Sequence, residues 1–223
     1  MTEILPCVEV GPQEDAAHSV IWMHGLGANG HDFEPIVPML EMPHTRFIFP
    51  HAPSIPVTIN MGMRMPAWYD ILSLDNSEYR EPPEHIRGSA LLIEALIQRE
   101  KDRGIPAEKM VIAGFSQGAA MAMHTGLRHE ETLAGIMVLS GYLVLRDQLA
   151  QELHPANAQT PMFFGHGTMD PMVACAKGKS GMEAVRAQNP QRPVIWEEFP
   201  MGHEVCPAEL GAIKQWLYER LPI

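Results

Sequence analysis

Met110-Val111-Ile112-Ala113-Gly114-Phe115-Ser116-Gln117-Gly118-Ala119-Ala120 is the stretch on which the fold turns. It begins as a short apolar run, as expected of a strand covered on both faces. Gly114 to Gly118 form a G-x-S-x-G pattern, and the small residues after it open a helical stretch. A serine between a strand and a helix sits on a tight turn with a strained backbone. Gly114 and Gly118 leave room for neighbouring backbone, and Ala119 and Ala120 let the helix approach the sheet. The turn presents the hydroxyl at the carboxyl end of the strand, beside a helix N-terminus. Without the flanking strand and helix, the pattern would be a chance match in a Gly- and Ala-rich chain.

Outward from this turn, apolar runs alternate with helical ones. Residues 18–24, 46–49, 110–114, 135–139, 161–166 and 193–197 read as strands. Residues 84–103, 117–128, 172–188 and 207–219 read as helices. The first helix places Ile86, Ala90, Ile93 and Ile97 on one face, and Gly104 and Pro106 stop it. The alternation predicts an α/β fold with a mostly parallel central sheet and helices on both faces. No linker divides the chain, so residues 1–223 read as a single domain. The stretch from Pro53 to Pro83 is too long for an ordinary connection and too apolar for a solvated loop. It either packs over the sheet edge or lines an apolar substrate groove. Met63, Met65 and Trp68 are its candidate substrate contacts, because methionine makes an adaptable acyl surface. Most of the other methionines read as core filler.

A nucleophilic serine needs a base, and the base needs an orienting carboxylate. On this strand–turn–helix scaffold they follow the serine in the order acid, then histidine. His124 lies too far along the helix after Ser116 to fold back, and His129 and His154 lie in polar surroundings. His166 ends a strand but precedes the best acid; it reads as a structural residue bonding its loop. His203, in a turn after the strand at 193–197, is the preferred base. Asp170 follows the strand at 161–166 and precedes Pro171, which suits a carboxylate at the same edge, although an aspartate there could simply cap a helix. Asp147 is the alternative acid. Acyl transfer also needs donors for the oxyanion. The backbone N–H of Gln117 is one, and the loop His24-Gly25-Leu26-Gly27 offers that of Leu26 as the other.

Composition narrows the partners. Acidic residues outnumber basic ones 27 to 16, a net charge of −11, which disfavours nucleic acid and anionic membrane as partners. No apolar run reaches the roughly 18 residues of a membrane span, and the first residues do not read as a signal peptide. The three cysteines, Cys7, Cys175 and Cys206, form no CxxC pair, so reduced thiols in a cytoplasmic setting are expected. Cys206 lies near His203 but lacks the turn that presents Ser116. No HExxH motif, P-loop or metal-ligand cluster occurs, so no metal and no cofactor are expected.

The chain resembles the phospholipase/carboxylesterase family of α/β-hydrolases, which includes acyl-protein thioesterases and small carboxylesterases. His24-Gly25-Leu26-Gly27, Trp68-Tyr69-Asp70, Gly114–Gly118, His166-Gly167 with Asp170, and Gly202-His203 with Val205-Cys206-Pro207 carry the resemblance over residues 18–207. It implies a Ser116–Asp170–His203 triad, Leu26 and Gln117 as oxyanion donors, no large cap domain, and hydrolysis of carboxylic esters or thioesters with short to medium acyl chains. Glu204 departs from the small polar residue common at its position in relatives. The sequence leaves the oligomeric state open, a homodimer among the outcomes. Lysophospholipase or protein-deacylase activity is the nearest alternative, and a non-catalytic binding protein of the same fold is the alternative from another class.

Overall fold

The six apolar runs become six adjacent parallel strands. The computed structural model describes residues 4–73 and 81–222. Its main sheet contains β1 (Cys7–Val10), β2 (His18–Met23), β3 (Thr45–Pro50), β6 (Met110–Phe115), β7 (Gly135–Leu139), β8 (Met162–Gly167) and β9 (Val194–Phe199). The strand order is β1-β3-β2-β6-β7-β8-β9. Only β1 runs antiparallel, pairing Val8 with Phe49 at the sheet edge. At four residues β1 is too short to stand out in the sequence.

Both faces are covered, which explains the unbroken apolar runs. Ile21, Met23, Ile112 and Phe164 point to one side. There they meet α2 (Pro83–Asp102), α3 (Gln117–Gly126) and α5 (Cys175–Gln188). Val20, Trp22, Val111 and Phe163 point to the other, against α1 (Val37–Leu40) and α6 (Pro207–Arg220). A further one-turn helix, α4, spans Leu149–Glu152. Helix α2 buries Ile86, Ile93, Leu96 and Ile97, close to the predicted face, and Gly104 follows its end at φ +96°. Two polar residues inside β2 and β3 are compensated. Ser19 donates to the buried Glu100 carboxylate at 2.9 Å, and the Arg46 guanidinium lies 3.3 Å from it.

The stretch from Pro53 to Pro83 is not a featureless loop. It carries a two-stranded ribbon of β4 (Ser54–Val57) and β5 (Met63–Pro66), then an extended segment through Ser73. Residues 74–80 of that stretch lie outside the described residues. No large cap domain is present among the described residues. The ribbon and the carboxyl ends of β2, β6, β8 and β9 together surround Ser116.

Candidate active site

Ser116 adopts φ 56° and ψ −118° between β6 and α3, the strained turn that the sequence predicts. The two glycines are required by close approach. A Cβ on Gly114 would collide with the backbone of Gly118, and one on Gly118 with the carbonyl oxygens of Met23 and His24. Substitution at either would push α3 off the sheet.

His203 lies on the loop between β9 and α6. Ser116 Oγ stands 2.9 Å from its Nε2, and its Nδ1 stands 2.7 Å from Asp170 Oδ2. The partners set the tautomer: Nδ1–H donates to the carboxylate, leaving Nε2 to accept from the serine. The Asp170 side chain is fully buried, and its Oδ1 accepts the backbone N–H groups of Met172 and Val173, each at 2.8 Å. One oxygen therefore holds the loop and the other faces the histidine; Asp170 does not cap α5, whose N-cap is Ala174. His166 donates from Nε2 to the Val173 carbonyl at 2.8 Å and is 3.6 Å from Asp170, the structural part expected of it. Burial holds the His166 imidazole below its usual range, in the neutral form. Asp147 lies at the one-turn helix leading into α4, away from this chain of bonds.

The loop after β2 is pinned from three directions. Gly27 N–H donates to the Pro66 carbonyl at 2.8 Å, and Ala28 N–H to Gly25. The buried His24 donates from Nδ1 to Gly25 O at 2.7 Å and accepts the Ala52 N–H at Nε2. Burial holds His24 below the usual histidine range, which keeps Nε2 free to accept. Leu26 N–H has no acceptor among the described residues, and neither has the Gln117 N–H, which is the first amide of α3. These two amides remain free beside Ser116.

A cavity of about 220 Å³ opens over the serine. Ile59, Ile71, Tyr142, Met172, Val173 and Phe115 form its apolar wall, with Leu26, Asp32 and His203 also facing it. Met63, Met65 and Trp68 are not among the lining residues, whereas Ile59 and Ile71 of the same stretch are. The reasons are geometric. Met63 projects outward, 59% exposed. Met65 packs toward Gly27 and accepts a bond from Asn60. Trp68 is buried, its indole N–H donating to the His24 carbonyl at 2.9 Å. The stretch thus covers the sheet with some residues and lines the groove with others.

Sequence reasoning missed one clamp. The Gln117 side chain, fully buried, accepts from Trp68 N–H at 2.9 Å and donates to the Tyr69 carbonyl at 2.7 Å. It ties the Trp68–Tyr69 segment to the serine turn. The available signal was a long amide among small residues at a helix start. The apolar wall carried no signal, because an isoleucine facing a cavity looks like one facing the core. Among the described residues, no group of three or more His, Cys, Asp or Glu side chains is arranged to hold a metal ion, and no helix is long and apolar enough to cross a membrane.

The family model described as phospholipase/carboxylesterase matches residues 6–221. This chain belongs to that family. It is an enzyme of the carboxylesterase/thioesterase class of serine hydrolases. The enzyme is 42% identical over 216 residues to acyl-protein thioesterase 1 of Neurospora crassa, spanning 92% of this chain and 87% of the relative. It is 40% identical over 215 residues to acyl-protein thioesterase 1 of Gibberella zeae, spanning 92% and 91%. Among solved structures, Zea mays acyl-protein thioesterase 2 superimposes with a TM-score of 0.87 at 26% identity, covering 97% of this chain and 99% of that one.

Proposed function

We propose that this enzyme hydrolyses short- to medium-chain acyl esters and thioesters through Ser116, His203 and Asp170. Ser116 Oγ attacks the acyl carbon while His203 Nε2 takes its proton. The oxyanion is stabilised by the Leu26 and Gln117 amides. Collapse expels the alcohol or thiol, which receives the proton from His203 and leaves the acyl group on Ser116. Water, deprotonated by the same histidine, then releases the acid. Asp170 stays ionised and orients the imidazole. The observation that most supports this reading is the continuous bond chain from Ser116 to His203 at 2.9 Å and on to Asp170 at 2.7 Å. Ile59, Ile71 and Tyr142 would hold the acyl chain. A cavity of about 220 Å³ lies below the range of drug-sized pockets, which supports short to medium chains.

The thioester arm is favoured by a separate observation, the roughly 40% identity to relatives named acyl-protein thioesterases. A lysophospholipase reading has no such particular support, and a purely binding role would leave the strained serine unexplained. Residues 1–223 are read as one domain, and the three free thiols suit a cytoplasmic setting. Labelling with a fluorophosphonate probe, then kcat/KM on oxygen and sulfur esters of graded acyl length, tests the reading. It expects label on Ser116 and turnover of both series. Absence of label and turnover would refute it.

A further inference from the structure

The wall of the catalytic cavity has one carboxylate and no lysine or arginine among the described residues. That carboxylate is Asp32. The loop carrying it is fixed rather than loosely hung. Gly27 N–H bonds Pro66, Gly30 N–H bonds His51 Nδ1 at 3.0 Å, and Asp32 N–H bonds Asn29 O at 3.1 Å. The next residue, Phe33, is buried against Trp22 with ring centroids 5.0 Å apart. The side chain of Asp32 itself is exposed at the cavity mouth, with no ion pair or hydrogen bond to any described residue. The neighbouring His31 is bonded to Glu34 at 2.7 Å.

Its position along the cavity follows from ring contacts. Phe33 lies 5.6 Å from Phe115, and Phe115 lies 4.7 Å from the His203 imidazole. Asp32 thus precedes a residue joined through Phe115 to His203 and lines the same cavity. The exposed Glu204 follows His203 in the chain and does not line the cavity. The apolar flank is Ile59, Ile71 and Tyr142. Lys177 stands over the Tyr142 ring, 4.6 Å from its centroid, and does not line the cavity.

We infer that Asp32 lies on the side where the proton passes to the departing alcohol or thiol and selects that group by charge, favouring esters whose alcohol or thiol carries a positive ammonium group and disfavouring anionic ones. This rests on the ester-hydrolase reading above and deepens it. The flank of Ile59, Ile71 and Tyr142 carries no charged side chain, so charge discrimination falls on the group that departs. Like-charge juxtaposition repels the wrong partner as effectively as opposite charge attracts the right one.

Three hexanoyl esters of similar size test this: those of choline, of 3,3-dimethylbutanol and of 3-hydroxypropanesulfonate. The ammonium group also activates its ester chemically, so the readout is the choline to dimethylbutyl ratio of kcat/KM compared between variants. Across several ångströms of largely aqueous surroundings, one unit charge corresponds to about a three- to tenfold effect. In low salt the ratio should fall by that factor in Asp32→Asn and be retained in Asp32→Glu. The sulfonate ester should improve relative to the dimethylbutyl ester in Asp32→Asn. About 0.5 M NaCl should shrink the wild-type preference. An unchanged ratio in Asp32→Asn would overturn the inference while leaving the hydrolase reading intact. Failure of all three esters in the wild type would refute the hydrolase reading, and the inference with it.

Discussion

Ser116, His203 and Asp170 come from three separate connections, and Ser116 and Asp170 are held by groups outside the bond chain. Ser116 is held by the glycines of its turn, and Asp170 by two backbone amides. Ser116→Ala should fold like wild type and lose esterase turnover by about 10³-fold or more, read as kcat on a soluble ester. His203→Ala should approach that loss. The double variant should be little worse than either single one, because the residues act as a unit. The Leu26 amide is separable from its side chain. Leu26→Ala keeps the N–H and should retain most turnover, whereas Leu26→Pro should lose about 10²–10³-fold. Circular dichroism and melting of both variants must match for that comparison to count, since proline also restricts φ. Gly27 is a poor substitute donor, because its N–H is already bonded to Pro66.

At the scale of elements, the ribbon β4–β5 and the segment after it divide their labour. Trp68 and Tyr69 are buried over α3 and clamped by Gln117, while Ile59 and Ile71 face the cavity. Gln117→Ala would strand the Trp68 N–H and Tyr69 carbonyl in a buried site. A loss of about 1–3 kcal/mol in denaturant unfolding is expected, with turnover far less affected than in Ser116→Ala. Chain-length selectivity should follow the cavity wall. Each methylene buried there is worth about 0.8 kcal/mol. Ile71→Asn should therefore lower kcat/KM for hexanoyl esters more than for acetyl esters. Met63→Gln, at an exposed position, should leave the profile of kcat/KM against chain length unchanged. A chain-length effect in Met63→Gln and none in Ile71→Asn would reverse the assignment.

Across the whole molecule, the main electrostatic oddity is Glu209 on α6. It is fully buried, and neither carboxylate oxygen has a hydrogen-bond partner among the described residues. It faces Gly165 of β8, where a Cβ would collide with it. Burial, with a smaller push from Glu197, raises its carboxyl to about 8. The folded state thus binds a proton that the unfolded chain releases near the ordinary carboxylate value. Stability from this group is present at low pH and is lost as pH rises from about 4.5 to about 8, levelling off above. The full excursion is on the order of 5 kcal/mol. Wild type should lose stability relative to Glu209→Gln between pH 5 and pH 8, by about that order of magnitude, in urea unfolding at each pH. A constant difference between the two across that range would show that Glu209 titrates normally.

The sequence alone determined the parallel sheet, the helices around it and the three residues that the fold brings into one bond chain. Those features are local or periodic. Buried strands demand continuous apolar residues, and a serine on a strand-to-helix turn demands small neighbours. The order of acid and histidine then follows from the ends of successive strands. Short elements escaped: β1 and the ribbon have four residues per strand, too few to establish a period. Only the tertiary structure decided which apolar residues face the cavity and which face the core. Met63, Trp68, Ile59 and Ile71 are equally apolar, and hydrophobicity does not distinguish a wall from a floor. The Gln117 clamp, the engaged Gly27 amide and the free carboxylate of Asp32 likewise depend on partners far away in the chain, which no local pattern encodes.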